Sequence, residues 1–259
     1  MSATPNAQGC ATVKKDFAEM RIVDEKVIRL PFEASIGSRI DDVPVASLWS
    51  LRCKRAIDLA FAMFVLVFGL PFYALIAILI KLTTEGPVLF VQDRVGKDEV
   101  PFKLYKFRTM GVGNSDDEHR HFTESFIKGN VSARNEDGNG RTLFKLTVDP
   151  RVTSIGKFLR RTSLDELPQF INVFKGEMSL VGPRPPLTYE LEHYQEWHKG
   201  RLAAKPGLTG LWQVSGRSTV PFEEMVHLDL LYIRNWSLLL DVKIILRTIP
   251  VMLFGLGGY

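Results

Sequence analysis

Asp165 and Glu166 stand side by side in the run Ser163-Leu164-Asp165-Glu166-Leu167-Pro168-Gln169, and adjacent carboxylates of this kind can serve as nucleophile, proton carrier or metal ligand. Pro168 is comfortable at the first position of a helix, where its missing N–H would have had no partner. The stretch therefore predicts a helix opening at Pro168, with both carboxylates facing its N-terminus. Unpaired N–H groups and the positive end of the helix dipole favour negative charge there, so the carboxylates stay ionised and phosphate is welcome. An ionised aspartate is a competent nucleophile, as in enzymes that form aspartyl-phosphate. A structural reading stands beside this one. Ser163 and Glu166 have the spacing of a capping box, in which both side chains merely satisfy backbone donors. That version puts Pro168 at the fifth helical position, where it removes a hydrogen bond and clashes with the preceding turn. Spacing alone leaves both open.

The surroundings are rich in cations that suit phosphate. Phe102-Lys103-Leu104-Tyr105-Lys106-Phe107-Arg108-Thr109-Met110 alternates imperfectly, so a half-buried strand would present some of its cations, Lys106 and Arg108 among them, on one face. A solvated edge strand protected by lysines fits the same pattern equally well. Gly156 to Thr162 is a basic segment delivered directly to the carboxylate pair. In Leu180-Val181-Gly182-Pro183-Arg184-Pro185-Pro186, prolines on both sides hold Arg184 extended, which aims its planar guanidinium with little entropy left to lose. Prolines also simply shape loops. Lys205-Pro206-Gly207-Leu208-Thr209-Gly210-Leu211-Trp212-Gln213-Val214-Ser215-Gly216-Arg217 combines a Gly-rich backbone with two cations, Lys205 and Arg217, and the amide of Gln213, a set able to receive a nucleotide. Trp212 in that run reads as a core or membrane-interface residue.

These groups must be carried by a modest chain of 259 residues, with a net charge of +4 that suits anionic lipid, phosphorylated substrates or nucleic acid. Cys10 and Cys53 form no C-x-x-C pair, which points away from a disulfide framework or zinc site and toward a reducing cytoplasm. Residues 1–47 read as a mobile or extended tail without a signal-peptide pattern. From Leu59 to Ile80 the chain is apolar apart from Tyr73, long enough to cross a bilayer. Gly69 and Pro71 break it at its midpoint, so each half is roughly 17 Å of helix, about half of the hydrocarbon core. Lys and Arg flank both ends: Arg52, Lys54 and Arg55 before, Lys81 and Arg94 after. The positive-inside rule then asks for both ends on the cytoplasmic side, which a re-entrant helix hinged at Gly69 and Pro71 satisfies and a kinked spanning helix does not. The carbonyl of Val67 loses its donor to Pro71, and no Ser or Thr lies nearby to replace it. Near the C-terminus, 236–256 is apolar but carries Asp241, Lys243 and Arg247, the mark of an amphipathic helix in the headgroup region. The expected architecture is α+β: tail 1–47, re-entrant membrane helix 48–82, and a small catalytic domain of helices and short strands over 83–259, closed by the interfacial helix.

Together these stretches resemble the monotopic phosphoglycosyl transferases of bacteria, the bacterial sugar transferase family. The resemblance runs from about Leu51 to Leu253 and rests on Lys54-Arg55-Ala56-Ile57-Asp58, Lys106 to Met110, Leu164 to Gln169, Ser179 to Pro185, and Lys205 through Arg217, in that order behind a broken apolar helix. It implies transfer of a hexose-1-phosphate, of glucose or galactose type, from a UDP-sugar to undecaprenyl phosphate with release of UMP and a requirement for Mg²⁺, as the first membrane step of exopolysaccharide synthesis. It also implies that the aspartate matching Asp165 becomes covalently phosphoglycosylated, that Glu166 supports the metal site with it, and that Arg184 and Arg217 contact phosphate. The implied location is the cytoplasmic face of the bacterial inner membrane, among its lipids; a monomer and a homo-oligomer both fit. One departure stands out: the family commonly has Ser before the hinge proline, where this chain has Leu70.

Two other readings remain. A glycosyltransferase releasing UDP is the nearest enzymatic rival, weakened by the absence of a D-x-D metal signature. A non-catalytic, membrane-attached polysaccharide assembly factor, its cations binding anionic lipid or polysaccharide, is the second. Nucleic-acid binding explains the charge but not the apolar segment, so no nucleic-acid partner is expected.

Overall fold

A computed structural model describes residues 47–111, 117–129, 135–136, 142–144 and 151–253, so most of the expected tail lies outside the described residues. Helix α1 (Leu48–Phe68) starts at Ser47, whose hydroxyl accepts from the Ser50 amide. Helix α2 (Leu70–Thr83) follows after Gly69 alone, bent by 59° from α1. No single helix among the described residues is long and apolar enough to cross a membrane, but this bent pair passes that test together. Pro71 sits in the first turn of α2, where its missing N–H costs nothing. The Gly69 amide donates to the Val65 carbonyl at 2.9 Å, which keeps the ladder of α1 intact up to the break. A side chain at Gly69 is excluded: a Cβ would lie 2.3 Å from the Val65 carbonyl oxygen and 2.8 Å from the Tyr73 ring.

The domain is a mostly helical assembly around short strand pairs. An antiparallel hairpin pairs β1 (Leu89–Val95) with β2 (Pro101–Phe107), Leu89 opposite Phe107 and Val95 opposite Pro101. Helix α3 (Asp117–Ile127) and the two-residue strands β3 (Asn135–Glu136) and β4 (Thr142–Leu143) come next. Helix α4 (Ser154–Arg161) leads into a 3₁₀ turn, Leu164–Gln169, which runs directly into α5 (Phe170–Lys175). Strand β5 (Ser179–Val181) pairs in parallel with β6 (Gly207–Thr209), after helix α6 (Glu196–Lys199). Helices α7 (Leu211–Ser215), α8 (Phe222–Arg234) and α9 (Leu238–Leu253) close the chain.

The main core joins Ala62 of α1, Phe102 and Leu104 of β2, and Leu211, Val226, Tyr232 and Ile244 of the later helices. A second core lies apart from it, where Ile76 and Ile80 of α2 meet Phe107 and Leu159, with Tyr73, Leu164 and Leu167 packed against them. Strand parity explains how β2 serves both. Phe102, Leu104 and Lys106 share one face, and Phe107 turns to the other. Buried Asn172 sews α5 to the open edge of β2, giving its amide to the Lys103 carbonyl at 2.7 Å and accepting from the Tyr105 amide at 3.2 Å.

Charged side chains of α1 do the docking. Lys54 reaches Asp241 at 2.6 Å and the Val181 carbonyl at 3.1 Å, while the Tyr232 hydroxyl and the Trp236 indole also donate to Asp241. Arg55 closes the C-terminus of α5 through the carbonyls of Val173 (2.7 Å) and Phe174 (2.9 Å). Asp58, 5% exposed, accepts from the Leu180 amide. Lys54 and Arg55 are thus committed to the domain rather than standing as free flanking charge. The opposite faces are apolar and exposed: Ile57, Phe64 and Phe68 on α1, Phe72 and Ile78 on α2, Val242, Leu246 and Ile249 on α9. Asp241, expected in the headgroup region, is instead the buried anchor of α9, because its two oxygens are claimed by three donors.

Because Asp241 is nearly dry, loss of Lys54 alone leaves a buried charge unpaired. Lys54→Met should lower stability by about 2–4 kcal/mol, and adding Asp241→Leu should recover most of that loss, as read from thermal unfolding of the detergent-solubilised protein.

Candidate active site

Asp165 and Glu166 lie in the first turn of the 3₁₀ segment, and neither expected local geometry is realised. Pro168 is inside that segment rather than opening a helix, and Ser163 makes no side-chain cap bond. The reason is local. Ser163 takes a left-handed conformation (φ 56°), which costs a non-glycine residue on the order of 1 kcal/mol. That kink ends the reach of α4 and starts a tighter winding, in which Pro168 withholds the amide that the Asp165 carbonyl would otherwise accept. The turn is therefore irregular and held from outside, by Leu164 and Leu167 in the second core.

The two carboxylates occupy different environments. Asp165 is 8% exposed, and burial pushes its carboxyl up to about 6, with Glu166 adding to the rise while Lys106, Arg160 and its own backbone amide oppose it. Glu166 is also penalised by burial, but the Lys106 ammonium at 2.8 Å, reinforced by Arg184 and Arg94, holds it below the usual carboxylate range. Arg160 is placed by its bond to the Thr109 hydroxyl at 2.8 Å. Gly156 allows that approach: a Cβ there would sit 2.1 Å from the Thr109 carbonyl oxygen.

At Glu166 lies a shallow cleft, open to solvent and lined by Arg94, Lys106, Glu166, Gln169, Arg184 and Gln213 among others. Strand β2 delivers Lys106 from its inward face. The loop after β5 delivers Arg184 in an unusual way. Pro183, Pro185 and Pro186 have no N–H to donate, so the loop is held by its carbonyls, which accept from the Gly207 amide (2.9 Å), Arg201 (3.4 Å, at Arg184), Arg94 (2.9 Å) and the Val95 amide (3.0 Å) in turn. Arg201 is itself fixed by a buried ion pair with Asp229. Gly182 and Gly207 let the backbones of β5 and β6 close, since a Cβ on Gly207 would lie 2.1 Å from the Gly182 nitrogen. Gln213 gives its amide to the Leu208 carbonyl at 3.4 Å, and its Oε1 is buried without a hydrogen-bond partner. Arg217, in a left-handed conformation (φ 50°), is lowered by burial and feels Glu166 as a compensating charge.

Two expected site residues are elsewhere. Arg108 follows the end of β2, where alternation stops, and its buried guanidinium turns under the C-terminus of α2, donating to the carbonyls of Thr84 and Glu85 and to the Thr84 hydroxyl. Lys205 precedes β6, and its ammonium lies by Gly176 and the guanidinium of Arg55, not in the cleft. Arg94 was legible only as a flanking cation, yet it lines the cleft, gripped by Gln92 Oε1 at 2.8 and 3.1 Å. Burial and then Arg184 push it down to about 10, still protonated at neutral pH. Its i, i+2 relation to Gln92 on a strand was the available signal.

Among the described residues no group of three or more His, Cys, Asp or Glu side chains is gathered. The donor set here is the adjacent pair Asp165 and Glu166, which suits Mg²⁺, an ion commonly held by one or two carboxylates plus substrate phosphates and water. Burial leaves Asp165 short of counter-charge, which a dication would supply.

The family model described as bacterial sugar transferase matches residues 49–255. The galactosyl transferase CpsE of Streptococcus agalactiae is 46% identical over 212 residues, covering 80% of this chain and 44% of that protein. The exopolysaccharide production protein ExoY of Sinorhizobium fredii is 42% identical over 206 residues, covering 80% and 88%. The undecaprenyl-phosphate galactose phosphotransferase of Salmonella typhimurium is 42% identical over 207 residues, covering 80% and 41%. The chain thus spans less than half the length of two of these relatives and most of ExoY.

The raised carboxyl of Asp165 has a stability consequence. Its folded pKa (about 6) exceeds the ordinary 3.8, so the penalty on the folded state builds as pH rises from about 4, is complete above about 6, and is absent below both values. Asp165→Asn should therefore raise stability by about 3 kcal/mol at pH 8 and by about 1 kcal/mol at pH 4.5, measured as melting temperature against pH.

Proposed function

The chain belongs to the bacterial sugar transferase family, and from that premise we propose that it moves a hexose-1-phosphate, of glucose or galactose type, from a UDP-sugar to undecaprenyl phosphate and releases UMP, at the cytoplasmic face of the bacterial inner membrane, as a first membrane step of exopolysaccharide synthesis. The observation that carries this reading is the buried Asp165, next in the chain to Glu166, which lines a cleft together with Arg94, Lys106 and Arg184. The names of relatives supply the substrate classes: undecaprenyl phosphate with galactose in the Salmonella protein, and UDP-glucose with undecaprenyl phosphate in an Escherichia coli relative 39% identical over 216 residues.

A Asp165 carboxylate oxygen attacks the phosphorus that bears the sugar, and the bond from that phosphorus to the bridging oxygen breaks, so that UMP leaves with the electron pair. The resulting acyl phosphate is then attacked by a phosphate oxygen of the lipid, and the Asp165 carboxylate departs. Burial makes Asp165 a stronger nucleophile than a hydrated carboxylate, while Lys106 and Arg160 keep enough of it ionised at neutral pH. Arg184 and Arg94 offer guanidinium donors to the diphosphate, and Lys106 holds Glu166 against the same wall. Mg²⁺ held by Asp165 and Glu166 would neutralise charge on the transferring phosphoryl group and on UMP. Re-entry of α1 and α2 into one leaflet, with α9 lying alongside, is supported by the break at Gly69 and by the exposed apolar faces of all three helices.

With undecaprenyl phosphate in nanodiscs and a panel of UDP-sugars, the protein should release UMP, and a UDP product would overturn the assignment. Asp165→Asn should lose at least a thousandfold in rate while still inserting. Because the nucleophile must be deprotonated, rate should fall about tenfold per pH unit below about 6. Donor without acceptor should leave a hexose-phosphate mass on the peptide containing Asp165; an unmodified peptide under active conditions would sink the covalent route.

A further inference from the structure

Tyr73 carries the only hydrogen-bonding side chain between Leu59 and Ile80. A hydroxyl in an apolar segment of this kind is costly unless it finds a partner. Its partner is not in the membrane segment: the Tyr73 hydroxyl donates to the Leu167 carbonyl at 2.8 Å, two residues from Asp165. The same side chain is built into the helix break. Its amide donates to the Gly69 carbonyl at 2.9 Å, and its ring covers Gly69 closely enough that a Cβ there would lie 2.8 Å away. The ring also packs on Phe107, centroids 5.8 Å apart, one residue from Lys106.

The Leu167 carbonyl needs this donor. In the 3₁₀ turn it is shared with the Phe170 amide, and Pro168, the residue next to it, contributes no N–H to hold the turn. The left-handed Ser163 at the other end adds strain. Such a turn can shift by an ångström at small cost, and a displacement of that size at a reacting group is enough to lower a rate by one or two orders of magnitude. Gly69 and Leu70 carry no hydrogen-bonding side chain, so the break has no side-chain cap of its own and takes its bracing from the domain instead.

Building on the transfer reaction proposed above, we propose that Tyr73 is a positioning residue that ties the angle of the membrane-helix break to the placement of Asp165, so that the seating of α2 sets the competence of the catalytic turn. Tyr73→Phe keeps the ring contacts with Gly69 and Phe107 and deletes only the bond to Leu167. In nanodiscs this variant should lose about tenfold in kcat, with donor KM changed less than twofold and a melting temperature close to wild type. Amide hydrogen exchange should accelerate in the peptide covering Leu164–Gln169 and the start of α5, and little elsewhere. Wild-type kcat and wild-type exchange there would overturn the proposal. So would a rise in KM at constant kcat, or faster exchange spread over the whole domain, which would mark a general packing role. If the unaltered protein releases UMP from no donor, the functional reading fails on its own, and the exchange comparison still decides whether Tyr73 holds the turn.

Discussion

Everything at this site depends on keeping one carboxylate almost dry and still ionised. Asp165 is 8% exposed and its charge is opposed by burial, so it is poorly solvated, and a poorly solvated anion is a reactive one. The cost is contained because the positive groups nearby are fixed by other bonds and need no reorganisation. Arg160 is held by Thr109, Lys106 by Glu166, and Arg94 by Gln92 and the Pro185 carbonyl. Glu166 matters in this balance as a second anion that is already neutralised. Were it unpaired, its repulsion would drive Asp165 further toward the protonated form.

The basic residues divide by the kind of oxygen they meet. Those that meet backbone carbonyls hold the fold: Arg55 at the end of α5, Arg108 at the end of α2, Arg201 under the Arg184 loop. Lys106 and Arg184 face the open cleft and remain available to an anionic ligand, while Arg94 does both, lining the cleft and donating to the Pro185 carbonyl. Helix C-termini and proline-rich loops both expose acceptors without matching donors, so a domain built from short helices and a Pro-Arg-Pro-Pro loop uses much of its arginine in assembling itself. Net charge alone therefore overstates what is left for substrate.

This division is what the sequence made hardest to read. Lys106, the proline-framed Arg184 and the break at Gly69 follow from local rules of period and backbone: both cations line the cleft, and the helix bends at Gly69. Arg108 misled because alternation holds only inside a strand and it is one residue past β2; Lys205 was read as one of two cations on a Gly-rich stretch, but it stands two residues before β6 and its ammonium lies by Gly176. Arg94 went unrecognised because its role depends on a loop more than ninety positions away in sequence, contacted through the Pro185 carbonyl. At Pro168 two rules competed, first-turn proline against capping box, and the left-handed Ser163 defeated both.

The second core gives the clearest reason for the bent apolar helix pair to be part of this domain at all. A six-residue 3₁₀ turn with an internal proline has too few hydrogen bonds to define its own position. Leu164 and Leu167 find their apolar partners on α2, through Ile76 and Ile80, and on Phe107. The same helix turns its other face, with Phe72, Leu75 and Ile78, outward. One helix thus presents an apolar face outward on one side and packs the turn that carries Asp165 on the other. A soluble version could not be made by trimming α1 and α2, because removing them would expose the underside of the turn and take away the Tyr73 bond to Leu167. The position of Asp165 is a property of the helix break and the turn together, and neither defines it alone.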